Sequence, residues 1–200
     1  MSTQDLVDSW QQYRGSIPWI IARQQFNLLG SHDTPRVINT LGGDRALNRL
    51  AAGLLMTYPG VPSVYYGDEI ALGDGRGATR ACMDWDQSNW DLELRQFYQG
   101  LIRFRRSSPA LRDGGFQVLA VEQDTLAYLR DTDDEYVIVI AHRGPDLRPA
   151  NPLFVVPGGI PDGVVFKEVS SGREKAISSG YLALDGISPG IELWQGRQEP

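Results

Sequence analysis

The chain has 200 residues, 42% of them hydrophobic, enough for one large domain or two small ones, each with a core. Its net charge of −6 and isoelectric point of about 4.9 argue against a nucleic-acid partner, and no polybasic run points to a membrane surface. No window reaches the ~18 apolar residues of a membrane span, and the opening MSTQDLVDSW has no basic cluster followed by an apolar stretch, so no secretory signal is expected.

Cys82 is the single cysteine, so an intrachain disulfide is impossible; this fits a cytoplasmic location, with Cys82 expected as a small core residue. The two histidines, His32 and His142, lie far apart in sequence. Without a Cys/His cluster no zinc site is expected, and no cofactor is implied.

In chain order, Gln4 to Tyr13 reads as a helix-like stretch. Phe26 to Leu29 is a short apolar run ending at Gly30, suited to a buried strand, with Ser31-His32-Asp33-Thr34-Pro35 as the loop after it. Asp44 can cap a helix over Arg45–Thr57, whose Leu47, Leu50, Ala51, Leu54 and Leu55 recur at helical spacing. Tyr58-Pro59-Gly60 ends it. Val61 to Tyr66 reads as a second short strand, stopped at Gly67. A longer helix is expected from Leu92 to Arg106, with Ser88 and Asp91 at capping-box spacing before it and Pro109 beyond. Strand–helix alternation implies parallel strands with crossover helices, and two such units are too few to close a sheet.

After Asp113-Gly114-Gly115 the rhythm changes. Phe116–Val121, Thr125–Arg130, Tyr136–Ala141, Leu153–Val156, Val164–Val169, Tyr181–Leu184 and Ile191–Trp194 are short, rich in β-branched and aromatic residues, and separated by Gly, Pro and Asp turns. That pattern predicts an antiparallel β-sandwich.

Three segments carry a resemblance. Asn27 to Arg36 reads NLLGSHDTPR, Pro59 to Glu69 reads PGVPSVYYGDE, and Arg80 to Asp86 reads RACMDWD. In this order and separation they resemble glycoside hydrolase family 13, the α-amylase family, most closely its neopullulanase, cyclomaltodextrinase and maltogenic amylase branch. The resemblance implies an α/β plus all-β fold: the last two strand–helix units of a (β/α)8 TIM barrel over residues 1–112, then an antiparallel β-sandwich domain over 113–200. It implies that Asp33 is the third catalytic carboxylate, the transition-state stabiliser, and that His32, Arg36, Asp74 and Arg80 bind substrate, an α-glucan oligosaccharide.

Barrel physics agrees, because active groups stand at the carboxyl ends of barrel strands. An ionised Asp there can face an oxocarbenium-like centre and the sugar 2-hydroxyl. On its own, Ser-His-Asp-Thr-Pro is also an ordinary turn in which Asp33 accepts backbone N–H bonds; the second motif tips the balance. For Tyr65, Tyr66, Asp68 and Glu69 a structural role is expected. Relatives often carry an Asp-Pro step where Arg76 stands; either Asp74 replaces that contact or the Gly-rich stretch 73–77 is a flexible loop that makes none.

Nothing in the chain resembles the family's nucleophilic Asp or acid/base Glu, carried by its fourth and fifth strands. Retaining hydrolysis needs two carboxyls about 5–5.5 Å apart, so the chain alone is expected to be inactive and to self-associate through exposed barrel strands. Two other readings compete. A carbohydrate-binding sandwich would need a stacking platform, and Trp194, the only tryptophan of the β half, is expected to lie inside. A self-contained glycosidase would pair Asp33 with Asp68 or Glu69.

Overall fold

The computed structural model describes residues 2–73, 79–149 and 151–198. It opens with α1 (Thr3–Gly15), started by a closed capping box: Ser2 accepts from the Asp5 N–H while Asp5 accepts from the Ser2 N–H. Val7 and Trp10 turn inward, and the Trp10 ring lies 4.5 Å from that of Tyr58. A short α2 (Trp19–Ala22) leads to β1 (Phe26–Leu28). After α3 (Val37–Thr40), Asp44 caps α4 (Arg45–Thr57) by accepting the Leu47 N–H, as its position predicts.

β2 (Val61–Ser63) returns parallel to β1, with Phe26 opposite Val61 and Leu28 opposite Ser63. Both strands are shorter than their apolar runs imply. Asn27 fastens the entry to β2 by donating to the Pro59 carbonyl at 2.7 Å. Gly60 must be a glycine: its φ is 118°, and a Cβ there would collide with Asn27 and the Gln25 carbonyl. The two strands form a sheet by themselves. Phe26 is 74% exposed, and Leu28 and Val61 are exposed beside it. Phe26 and Leu28 line an open hollow of about 480 Å3 that α1 and α4 border.

α5 (Leu92–Ser107) buries Leu94, Tyr98 and Leu101 against α4. Its cap is Asp91, which accepts the Leu94 N–H at 2.9 Å. Ser88 belongs instead to a separate turn capped by Asp86, so the expected Ser88–Asp91 box does not form. Cys82 is exposed, against the expectation of a core residue, because it lies in a surface segment without regular structure between that turn and Arg80. A short α6 (Pro109–Asp113), with Pro109 in its first turn, comes next. The carboxylate of Glu135 accepts from the Ser108 hydroxyl and the Ala110 N–H at its start.

The remaining strands are β3 (Gln117–Val121), β4 (Thr125–Asp131), β5 (Glu135–His142), β6 (Leu153–Phe154), β7 (Val165–Glu168), β8 (Glu174–Ser178), β9 (Tyr181–Leu182) and β10 (Gly190–Arg197). They form one eight-stranded antiparallel sheet in the order β3-β4-β5-β10-β7-β8-β9-β6. β3 and β6, the ends of that order, lie against each other, so the expected sandwich takes the form of a sheet bent over on itself. β8 escaped sequence reading because its EKAIS is mostly polar and buries only Ile177.

Strand alternation divides β4, β5 and β10 between two cores. Leu126, Tyr128, Val137, Val139 and Leu193 face the helices. Ala127, Leu129, Tyr136, Ile138, Ile140 and Trp194 face the inside of the bent sheet, where Phe166, Ile177 and Leu182 meet them.

Two buried arginines converge on the carboxyl end of α4, and one of them, Arg130, joins the halves there. Arg130, on β4, donates to the carbonyls of Thr57 at 2.6 Å, Gly114 at 3.0 Å and Gly115 at 2.7 Å. Arg105, on α5, donates to Met56 at 2.7 Å and also to Tyr58 and Gly60. Arg130→Met should leave two buried carbonyls and one half-buried carbonyl without that partner and lower stability by roughly 3 kcal/mol, read from urea denaturation. A loss under about 1 kcal/mol would show that water or rearrangement replaces the guanidinium.

Candidate active-site cluster

Past β1 the chain turns sharply. The Ser31 N–H donates to the Thr34 hydroxyl at 2.8 Å, the Asp33 N–H to the Ser31 hydroxyl at 3.2 Å, and the Thr34 N–H to the Ser31 carbonyl at 3.3 Å. Ser and Thr satisfy the backbone of this turn, which leaves the side chains of His32 and Asp33 outside, 59% and 68% exposed.

Asp33 stands between two nitrogen groups. His32 Nε2 lies 3.0 Å from one carboxylate oxygen, and Arg80 Nη2 donates to the other at 3.1 Å. Arg80 also donates its Nε–H to the His32 carbonyl at 3.3 Å. The structure thus brings together three of the five residues singled out from sequence: Asp33, His32 and Arg80. Asp74, and the Arg76 departure beside it, lie outside the described residues.

Arg36 is brought close in the chain but not into the open. Its side chain has no exposed surface, so the direct substrate contact expected of it does not fit. It lies 3.6 Å from Asp68, donates to the Tyr66 carbonyl, and is stacked on the rings of Tyr65 and Tyr66 at 4.3 and 4.5 Å. The segment Tyr65–Glu69 is therefore built for packing, as its residue types indicate.

Asp68 heads a 3-10 turn between Gly67 and Ala71, both in the left-handed region. Its carboxylate packs against Gly30, where a Cβ would come within 3.1 Å of it. Burial pushes the Asp68 carboxyl up to about 6; Arg36 opposes that shift and Glu69 adds to it. Tyr98, buried below, is raised by its own burial and by the carboxylates of Asp68 and Glu69. Glu69 folds back to accept the Gly67 N–H at 2.9 Å. Neither acid stands free to serve Asp33 as a second catalytic carboxyl, so the self-contained glycosidase has no support from this geometry.

Among the described residues no group of three or more His, Cys, Asp or Glu side chains could hold a metal ion. No described helix is long and apolar enough to cross a membrane. The cluster offers an exposed carboxylate, oriented by a cation and an imidazole, at the carboxyl end of a parallel strand. Such a group can face developing positive charge in a bound ligand.

Residues 3–103 match the family described as alpha amylase, catalytic domain. The chain is 42% identical over 118 residues to a cyclomaltodextrinase from a Bacillus species, covering 58% of this chain and 21% of that one. It is 34% identical over 185 residues to neopullulanase 2 of Thermoactinomyces vulgaris, covering 88% and 30%. Among solved structures, the native debranching enzyme of Nostoc punctiforme superposes with a TM-score of 0.81 at 27% identity, over 99% of this chain and 40% of that one. The chain spans between a fifth and a third of the length of these curated relatives.

The raised Asp68 carboxyl carries a stability signature. A folded-state value above the ordinary 3.8 means that the folded chain holds the proton more tightly than the unfolded chain. Its contribution therefore falls as pH rises from about 4 to about 6 and is flat above. The rise from 3.8 to about 6 corresponds to about 3 kcal/mol at ~1.4 kcal/mol per pH unit. The stability difference between wild type and Asp68→Asn, followed by denaturant titration, should narrow or invert by up to that amount over this interval. A difference constant from pH 4 to 6 would mean that Asp68 titrates as an ordinary surface acid.

Proposed function

The chain belongs to the α-amylase family of glycoside hydrolases, and from that premise we propose that it is the carboxy-terminal portion of a retaining α-glucan hydrolase. Residues 1–112 are the end of its (β/α)8 barrel, with β1 and β2 as the last two barrel strands, and residues 113–200 are its β-sandwich domain. The observation that carries this reading is the position of Asp33. It lies past the carboxyl end of β1, is exposed, and is held by His32 and Arg80.

In that role Asp33 accepts hydrogen bonds from the sugar at the cleaved linkage and stabilises its oxocarbenium-like transition state. His32 donates to a neighbouring hydroxyl. Arg80 fixes the Asp33 carboxylate, and Asp74 supplies a further sugar contact. The nucleophile and the acid/base come from chain beyond these 200 residues. The names of the relatives support the substrate class: cyclomaltodextrinase, maltogenic α-amylase, neopullulanase and amylopullulanase. An intracellular maltogenic amylase of Bacillus subtilis among them supports a cytoplasmic setting.

The binding-module reading has less behind it. Trp194 is 1% exposed inside the bent sheet. The exposed aromatic pair Phe154 and Tyr181 is inclined by 46°, which offers a sugar no flat platform.

In the full-length enzyme, Asp33→Asn should lower kcat by roughly three orders of magnitude or more with little effect on folding, since a charge acting on the transition state governs rate. A kcat within tenfold of wild type rules out that role. The 200-residue chain alone should release no reducing sugar from maltodextrin, pullulan or cyclodextrin; turnover lost in Asp33→Ala would overturn that.

The open edges of β1 and β2, with Phe26, Leu28 and Val61 uncovered, should make the isolated chain self-associate. Sedimentation across a concentration series should show rising mass. A monomer at every concentration, with Val61–Ser63 as protected from hydrogen exchange as Tyr136–Ala141, would contradict it.

A further inference from the structure

Arg36 comes directly after Pro35 at the end of the turn that carries His32 and Asp33, and α3 starts at the next residue. A buried ion pair is weak evidence for stability, because apolar residues of the same volume often serve a core as well. What such a pair can add is a fixed geometry among the segments it touches. The Arg36 guanidinium ties three together, counting the loop that carries it.

One is its own loop. The second is the turn after β2, which supplies the Asp68 carboxylate, the Tyr66 carbonyl and the two tyrosine faces. The third is the irregular segment at Ala81. Arg36 Nη2 donates to the Ala81 carbonyl at 3.5 Å, and the Tyr66 hydroxyl donates to the same oxygen at 2.7 Å. Ala81 is bonded to Arg80, whose guanidinium grips Asp33 and the His32 carbonyl.

We infer that Arg36, anchored by Asp68, is a positioning residue: with the Tyr66 hydroxyl it fixes Ala81 and so sets where Arg80 stands against Asp33. Arg80 is 67% exposed and long, with many rotamers open to it. Two donors on the neighbouring carbonyl limit where its backbone can go. The planar fork of Arg36 matters, because one side chain must reach Tyr66 and Ala81 while its face lies on the tyrosine rings. A lysine keeps the charge opposite Asp68 and loses the fork.

This inference rests on the reading of Asp33 as the group that acts on substrate, and the test separates the two. In the full-length enzyme, kcat and KM are measured for Arg36→Lys, Tyr66→Phe, the double variant and Asp33→Asn. Val139→Ala, buried far along the chain in the β-rich half, reports the effect of destabilisation alone. Arg36→Lys should lower kcat about 100-fold, the scale of a 1 Å misplacement, with KM changed less than about threefold. Tyr66→Phe should lower kcat about three- to tenfold. The double variant should fall short of the product of the two losses, because both act through one carbonyl. Val139→Ala should lower Tm and leave kcat per folded molecule unchanged.

If Asp33→Asn abolishes turnover while Arg36→Lys and Tyr66→Phe stay within twofold of wild type, the positioning role is wrong and the reading of Asp33 survives. If Asp33→Asn stays within tenfold of wild type, both fall. Should Arg36→Lys fail to fold, Tyr66→Phe decides, together with nitrogen-15 spectra of the 200-residue chain. There the Arg80 Nε–H signal should shift in Tyr66→Phe, and an unmoved signal overturns the inference.

Discussion

The last turn of α4 leaves backbone carbonyls without helical partners and carries the negative end of the helix dipole. Arg105 and Arg130 fill that need from opposite directions, one from α5 and one from β4. Neither spends its charge on a carboxylate there. Burial lowers Arg130 to about 10, which still leaves it cationic at neutral pH. The same guanidinium holds the Gly114 and Gly115 carbonyls, where the chain passes from α6 into the strands. Helical and strand-rich parts are thus joined through backbone oxygens, and the joint sits four residues before β2.

That placement governs the geometry of the site. With Met56 to Gly60 pinned, β2 begins at Val61 in register with Phe26, and the Val61 N–H donates to the Gln25 carbonyl at 2.8 Å. The turn at Tyr65–Glu69 then falls beside Arg36, and Arg36 meets Asp68 across the ends of the two strands. From there the links run outward through Ala81 and Arg80 to Asp33. The exposed Asp33 carboxylate thus depends on a buried frame. Phe26, Leu28 and Val61 on these two strands are exposed, as the proposed truncation of a barrel would leave them.

Much of this was legible in the residues. Asp44 and Asp91 announced their helices because a carboxylate one residue before an apolar helical pattern has few other uses. The strands of the β-rich half stood out through Val, Ile and aromatic content, and β8 did not, since it turns only one large apolar side chain inward. The grouping of His32, Asp33 and Arg80 came from motif resemblance; nothing in local spacing says that residue 80 reaches residue 33. The burial of Arg36 was hidden for a different reason, whereas Asp68 was expected to serve structure. Charged residues in loops beside a site read as ligand contacts, and only the fold shows them enclosed. Arg105 and Arg130 were equally silent, because an arginine that serves backbone carbonyls has no partner residue to betray it.

The central claim is that Asp33 is one part of a catalytic site whose other parts lie outside this chain. Complementation tests it most directly. The separately produced portion of neopullulanase 2 of Thermoactinomyces vulgaris that precedes the segment matched here would be mixed with this chain, and release of reducing sugar from an α-glucan measured. The account predicts turnover with the wild-type chain and none with Asp33→Asn, at equal binding of the two pieces by sedimentation. Equal turnover from both mixtures would contradict it.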